Sequence, residues 1–301
     1  MDKTAVVILH YKSEQDTRDC LASVIRDRKN DKNLKIILIL SCGSKNFADE
    51  IKKKYPEVLV TSYTGNTGFA KGCNCGIKIA QDLDCKNIIL LNNDTLVDTD
   101  FPDKLVDFSS KTPRLGLVSP KIYFAKGFEY HKDNYEPSEK GKVIWYGGGS
   151  FDWSNIYANH LGVDEVDRGQ FEKTKNTDFT TGCCMLITKE LVEKIGYLDE
   201  KYFLYFEDID YSQRAKKAGF GVYYYPKTHI WHKNASSSGK PGSSVHVYYQ
   251  TRNRLYFGLR YGSARTKKSL VIQSLRMLFG DKVERKAVID YYLGRMGKGA
   301  I

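Results

Sequence analysis

Asn87-Ile88-Ile89-Leu90-Leu91-Asn92-Asn93-Asp94 reads as an apolar strand that stops abruptly at three polar residues. A run with no polar alternation fits a strand buried on both faces, as inside a parallel sheet. Thr4 to Tyr11, Leu34 to Leu40 and Val58 to Ser62 are earlier strand-like runs. Helix-like stretches separate them. Ser13 to Arg26 spaces Cys20, Leu21, Val24 and Ile25 helically, Phe47 to Lys54 is short, and a third helix follows the glycine-punctuated Thr64 to Gly72 and ends near Asp82. This alternation predicts an α/β fold with a mostly parallel central sheet and helices on both faces. Ligands of such sheets meet the carboxyl ends of the strands. Tyr11, the turn Ser41-Cys42-Gly43-Ser44 and Asn92 to Asp94 all fall there, so a nucleotide-type site is expected.

Further along, residues 120–176 are irregular and aromatic, and Trp145-Tyr146-Gly147-Gly148-Gly149-Ser150-Phe151-Asp152 reads as loop or hairpin laid over a site. Thr180 to Thr188 is a strand, Lys189 to Ile195 a helix, and Asp208 to Ala218 a helix ended by Gly219. Val222 to Tyr225 is a strand that Pro226 should stop. An Arg-rich helix starts at Val245, and from Arg265 a tail mixes basic residues with Leu270, Val271, Ile272, Leu275, Leu278, Val288, Ile289 and Leu293. Such a basic amphipathic tail can lie on an anionic leaflet, or its helices can pack on the main domain or on a second copy in a homodimer.

The 301 residues carry 47 Lys+Arg against 36 Asp+Glu, a net charge of +11. That excess suits a polyanionic neighbour: nucleic acid, an acidic membrane or a phosphorylated substrate. The basic residues are spread along the chain with no zinc, RRM or KH signature, so nucleic acid is the least supported. The first apolar run, Ala5 to Leu9, is too short for a signal-peptide core, and no apolar run nears the roughly 20 residues that cross a bilayer. Seven cysteines, at positions 20, 42, 73, 75, 85, 183 and 184, form no CxxC pair. They read as reduced thiols of a cytosolic protein, with Cys73 and Cys75 in a loop-like segment.

Asn66-Thr67-Gly68-Phe69-Ala70-Lys71-Gly72 is neither a Walker loop nor GxGxxG, so its glycines support neither an ATPase nor a dinucleotide oxidoreductase. They allow close backbone approach to a ligand at a helix N-terminus, or form a plain turn. Asp94 suits a hard divalent ion bridged by substrate phosphates, or an Asn/Asp turn. Phe206-Glu207-Asp208-Ile209-Asp210 follows the aromatic run Tyr202 to Tyr205. Its acids are either helix caps or partly desolvated carboxylates with the raised pKa of a general base. His229 and His232 flank Trp231 and should not share one strand face.

In this order the segments resemble inverting glycosyltransferases of family 2, with the GT-A fold, and among them the rhamnosyltransferase-like enzymes of bacterial polysaccharide assembly. The resemblance implies a GT-A catalytic domain over 1–260, split into a nucleotide-binding half (1–119) and an acceptor and catalytic half (120–260), followed by a basic helical tail (261–301). It implies that His10, Tyr11, Ser41, Gly43, Ser44, Asn66, Gly68, Lys71, Asn74, Asn92, Asn93 and Arg252 meet a nucleotide-diphosphate sugar donor, with Lys71 and Arg252 toward the diphosphate. Asp94 and His232 would hold Mn2+ or Mg2+. Asp208 would be the base that deprotonates the acceptor hydroxyl, with Glu207 orienting the acceptor. Gly182, Cys183, Trp145 and Tyr205 would line the acceptor site, for a saccharide or lipid-linked glycan. The expected place is the cytoplasm, at the inner face of the cell membrane. Where the family carries Asp in the turn after strand two, this chain has Ser41, which bears on the donor it takes. dTDP-rhamnose is the first expectation and a UDP-hexose the second. A non-catalytic sugar-nucleotide-binding partner of another transferase is the alternative that Ser41 keeps open.

Overall fold

The structure is a computed structural model that describes residues 2–26, 31–42, 44–234 and 242–301. Gly43, expected at the donor turn, lies outside the described residues. The first half alternates as the apolar pattern predicts: β1 (Thr4–His10), α1 (Glu14–Ile25), β2 (Leu34–Leu40), α2 (Lys45–Lys54), β3 (Val58–Ser62), α3 (Phe69–Asp82) and β4 (Asn87–Asn92). Ser13 and Ser44 cap α1 and α2, their hydroxyls accepting from the amides of Asp16 and Phe47. There follow β5 (Thr95–Val97), α4 (Phe101–Lys111), β6 (Leu115–Phe124), β7 (Ile144–Tyr146), β8 (Gly149–Asp152), β9 (Tyr157–His160), β10 (Lys175–Asn176) and β11 (Cys184–Thr188). The chain continues through α5 (Lys189–Ile195), α6 (Glu207–Lys217), β12 (Gly221–His232), α7 (Ser244–Tyr261), α8 (Ala264–Met277) and α9 (Lys282–Tyr292).

The sheet runs β10-β12-β6-β11-β4-β1-β2-β3. β4, β1, β2 and β3 are mutually parallel, and β12 is parallel to β6. β11 alone among these runs antiparallel to both neighbours, β4 and β6. Its direction matters for function. The start of β11, not its end, lies at the carboxyl edge of β4, where the amide of Asn92 donates to the carbonyl of Cys183 at 2.9 Å. Alternate residues of the central strands feed two cores. Val6, Ile8, Ile36 and Leu38 face α1, α2 and α4 through Leu21, Phe47 and Leu105. Ala5, Val7, Ile37 and Ile39 face α3, α5 and α6 through Ile77, Leu191 and Tyr211. Each fully buried aliphatic chain contributes about 1.5–3 kcal/mol, so both faces hold the sheet.

Two expectations change, and one open alternative can be described. α3 starts at Phe69, so Cys73 and Cys75 sit on a helix rather than in a loop. Pro226 does not stop the last strand: β12 runs on to His232, and its register against β6 jumps from Tyr225 opposite Pro120 to His229 opposite Lys121. The proline, which has no N–H to donate, falls in the skipped stretch, and the strand resumes in time to deliver His232 to the ligand edge. Residues 261–301 lie against the rest of the chain. Leu270 and Val288 join the main core, and Ala287 packs with Tyr248 and Tyr249 of α7.

Candidate active site

The carboxyl ends of β1, β2, β4 and β12, the start of β11 and the N-terminus of α6 surround one cavity of about 990 Å³. That is ample for a nucleotide sugar with part of a second substrate. Among the sequence-derived candidates, Tyr11, Ser41, Asn66, Gly68, Asn92, Asn93, Asp94, Trp145, Gly182, Cys183, Tyr205, Glu207, Asp208 and His232 all line it.

On the side where the sequence places the donor, Ser41 Oγ accepts from the amide of Thr67 at 3.1 Å, tying the turn after β2 to the loop before α3. Asn66 Oδ1 accepts from the amide of Gly68 at 2.9 Å. Gly68 has φ +79, and a Cβ there would lie 2.4 Å from the Phe203 ring, so only glycine lets these two walls meet. Asn93 is held from below, its Nδ2 donating to Thr17 Oγ1 at 2.9 Å.

At the next step of the wall, Asp94 and His232 are both buried, with Oδ1 and Nε2 3.2 Å apart. Trp145 stands edge-on to the imidazole at 4.6 Å. Burial opposes charge on His232, but the Cys183 thiol and the Asp94 carboxylate outweigh it and hold the ring's pKa well above its usual value. His232 Nδ1 is buried with no hydrogen-bond partner among the described residues. One carboxylate and one imidazole are a suitable, incomplete donor set for Mn2+ or Mg2+, which complete their shells with water and substrate phosphates. No group of three or more metal-binding side chains occurs among the described residues.

Opposite stand the paired acids. Three non-glycine residues before α6 have left-handed backbone: Phe203 (φ 65), Tyr205 (φ 67) and Phe206 (φ 74). Each costs on the order of 1–3 kcal/mol and must be held by its surroundings. Asn253 holds them, its Nδ2 donating to the carbonyls of Tyr202 (2.9 Å), Leu204 (2.8 Å) and Tyr205 (2.9 Å). The loop delivers Glu207 and Asp208 to the cavity. Asp208 Oδ2 accepts from the amide of Gly182 and Oδ1 from that of Ile209, both at 2.8 Å. Burial raises the Asp208 pKa, and these amides only partly offset it. Glu207 is raised well above the usual range by burial and by the charge of Asp208. Its Oε2 has no hydrogen-bond partner among the described residues.

Five candidates do not line the cavity. His10 is buried, its Nδ1 sharing a 2.7 Å hydrogen bond with Thr17 Oγ1, so it supports Asn93 from beneath. Burial lowers its pKa to about 4. Ser44 caps α2, and Lys71 points to solvent. Asn74 brackets Leu198, accepting from its amide at 3.0 Å and donating to its carbonyl at 2.9 Å. Arg252, expected at the diphosphate, is fully buried and donates to the carbonyls of Gly297 (2.8 Å) and Tyr202 (3.1 Å). Its charge is spent inside the protein because an inward-facing guanidinium fits a nest of carbonyls. The sequence reading missed Lys12, Tyr130, Tyr157, His160, Phe203, Tyr249, Arg254 and Lys298, which also line the cavity. His160 is kept neutral by burial, its pKa lowered to about 4, and contacts the Trp145 ring. The aromatic density of residues 120–176 was the one signal for Tyr130, Tyr157 and His160.

Comparison with known proteins bears on this geometry. The profile described as "Glycosyltransferase like family 2" matches residues 2–258. The low-salt glycan biosynthesis hexosyltransferase Agl10 of Haloferax volcanii is 23% identical over 94% of this chain and 87% of its own length. The N-acetylglucosaminyl-diphospho-decaprenol L-rhamnosyltransferase of Mycobacterium tuberculosis is 25% identical over 66% of each chain. A solved structure of GalNAc-T7 with UDP, GalNAc and Mn2+ superposes with TM-score 0.60 at 17% identity, over 89% of this chain and 53% of that one. The mannosyltransferase PcManGT of Pyrobaculum calidifontis, solved with GDP-Man and Mn2+, gives TM-score 0.53 at 13% identity, over 97% of this chain and 74% of that one. Both show the same GT-A-like fold.

Proposed function

The chain belongs to glycosyltransferase family 2, and from that premise we propose that it moves a sugar, with inversion, from a nucleoside-diphosphate donor to a hydroxyl of a lipid-linked saccharide in glycan or polysaccharide synthesis. The observation that carries this reading is the single cavity lined by the donor-side turns, by Asp94 with His232, and by Asp208. Inversion by direct displacement needs one base and no protein nucleophile. Asp208 takes the proton of the acceptor hydroxyl as its oxygen bonds to the anomeric carbon, and the nucleoside diphosphate departs with the electrons of the broken bond. Its burial-raised pKa brings the carboxylate closer to the basicity this task requires. Glu207 beside it orients the acceptor.

Asp94 and His232 would hold Mn2+ or Mg2+, whose bound charge offsets the negative charge growing on the departing diphosphate. The buried Asp94–His232 pair supports that assignment, and the Mn2+ in both solved relatives agrees with it. A deoxythymidine diphosphate-linked rhamnose is the first donor to test and a UDP-hexose the second, in keeping with the rhamnosyl- and hexosyltransferase names of the relatives. The decaprenyl diphosphate in one relative's name supports a lipid carrier on the acceptor.

A lipid-linked acceptor also gives the tail a purpose. No helix among the described residues is long and apolar enough to cross a membrane. Leu275, Phe279, Tyr292 and Leu293 are nonetheless exposed on or beside α8 and α9, Phe279 to 91%. Residues 264–301 carry nine basic against three acidic side chains. Apolar projections set among cations suit peripheral contact with the anionic inner face of a cell membrane. Incubating the protein and a lipid-linked glycan with a panel of nucleotide sugars, with and without Mn2+, tests the reading. Metal-dependent release of nucleoside diphosphate with a glycosylated product supports it, and no turnover of any donor refutes it.

A further inference from the structure

After α9 the chain turns back along the rim of the cavity, and residues 295–299 are pinned at several points. Arg252 Nη1 donates to the carbonyls of Gly297 at 2.8 Å and Arg295 at 3.4 Å. The Gly297 amide donates to the carbonyl of Lys201 at 2.8 Å, and the Gly299 amide to Tyr249 Oη at 2.9 Å. Gly299 lies so close to the Tyr248 ring that a Cβ would stand 2.4 Å from it. The fully buried guanidinium thus fastens this strap to the 201–202 backbone on the approach to Glu207 and Asp208.

Lys298 lies between the two anchored glycines and lines the cavity. Its ammonium makes no ion pair or hydrogen bond among the described residues. Of the other cations in the lining, Arg254 donates to the carbonyl of Asn155 and Lys12 stands over the ring of Tyr11 at 5.1 Å, so Lys298 is the one that the anchored strap presents. The strap borders the donor half of the cavity. Tyr249, its anchor, stacks on Phe203 at 5.1 Å, and Phe203 closes against Gly68.

A donor diphosphate must enter a cavity already lined by the carboxylates of Asp94, Glu207 and Asp208, and an uncommitted cation on the donor rim would offset that repulsion. We propose that Lys298, presented by the strap that Arg252 fastens, binds the donor's diphosphate. This rests on the cavity being a nucleotide-sugar site. Arg252 then serves the diphosphate at one remove, as a positioning residue.

Calorimetric titration of the full chain in Mn2+ with dTDP and UDP, and with thymidine and uridine, tests the assignment. Lys298→Ala should weaken binding of the preferred diphosphate about tenfold while leaving its nucleoside unchanged, and Lys298→Arg should restore it. Diphosphate binding equal to wild type in Lys298→Ala overturns the proposal and leaves the donor reading standing. Wild-type protein that binds neither dTDP nor UDP overturns both. A loss seen only for a detergent-dispersed prenyl diphosphate overturns it as well, because the residue would then serve the acceptor.

Discussion

The carboxylate of Asp208 accepts a hydrogen bond from the amide of Gly182 at 2.8 Å, joining the N-terminus of α6 to the entry of β11. The amide favours the ionised carboxylate, and burial opposes it more strongly, so the pKa lies above the ordinary aspartate value. To act as the proposed base, Asp208 must be deprotonated. The kcat/KM profile should therefore rise with pH along a limb displaced above the ordinary aspartate range, and rate measurements from pH 4 to 9 read its midpoint. A limb at the ordinary value would remove the desolvated base from the account.

Glu207 gives a stability prediction of definite sign. Its folded-state pKa is raised by burial and by the charge of Asp208, so the folded chain binds this proton more tightly than the unfolded chain. Stability from that difference is present below the unfolded pKa and falls as pH climbs toward the folded one. Glu207→Gln, which never ionises, should melt higher than wild type at pH 8, the gap closing toward pH 4. Calorimetric scans at both pH values check it, and a constant gap would contradict it.

Asn253 should matter as much to the site as to stability. Asn253→Ala leaves the carbonyls of Tyr202, Leu204 and Tyr205 without the amide that holds their left-handed neighbours. We expect a loss of about 2–3 kcal/mol in urea unfolding. kcat should fall more than donor affinity, since this loop carries Asp208, the proposed base.

Gly68→Ala should be severe. The new Cβ meets both a positive φ and the Phe203 ring 2.4 Å away, so either the donor loop or the base loop must shift. A cost of about 2 kcal/mol or more in stability, with weakened nucleotide binding, is the expected result, measured by unfolding and calorimetry.

The tail can be separated from the chemistry. Phe279→Asp with Leu293→Asp removes two exposed apolar side chains and adds negative charge on the basic face. Flotation with anionic vesicles should fall sharply, while transfer to a detergent-soluble acceptor stays unchanged. Equal flotation would reject membrane contact through this face.

Much of this organisation is legible in the residues because apolar strands that end in polar clusters mark the ligand edge of an α/β sheet. The β4 run ending at Asp94 and the acids after Tyr205 needed no coordinates to be singled out. Direction and depth were not legible. No local pattern says that β11 runs against its neighbours, yet that reversal puts Gly182 and Cys183 at the cavity. Arg252 looked like a phosphate ligand because a guanidinium's partners depend on which way its helix faces. Here they are carbonyls of segments about fifty residues earlier and forty-five later in the chain. Pro226 resembled a stop because the partner strand that lets the register jump lies more than a hundred residues away. Lys298 carried no signal at all, since only the strap's fold brings it to the cavity.

The central claim is that Asp208 deprotonates the acceptor. The most direct measurement is the single-turnover transfer rate of Asp208→Asn with the preferred donor, beside its affinity for the nucleoside diphosphate. The account predicts a fall of about 100-fold or more in the rate with affinity unchanged. A variant that transfers sugar at the wild-type rate would contradict it.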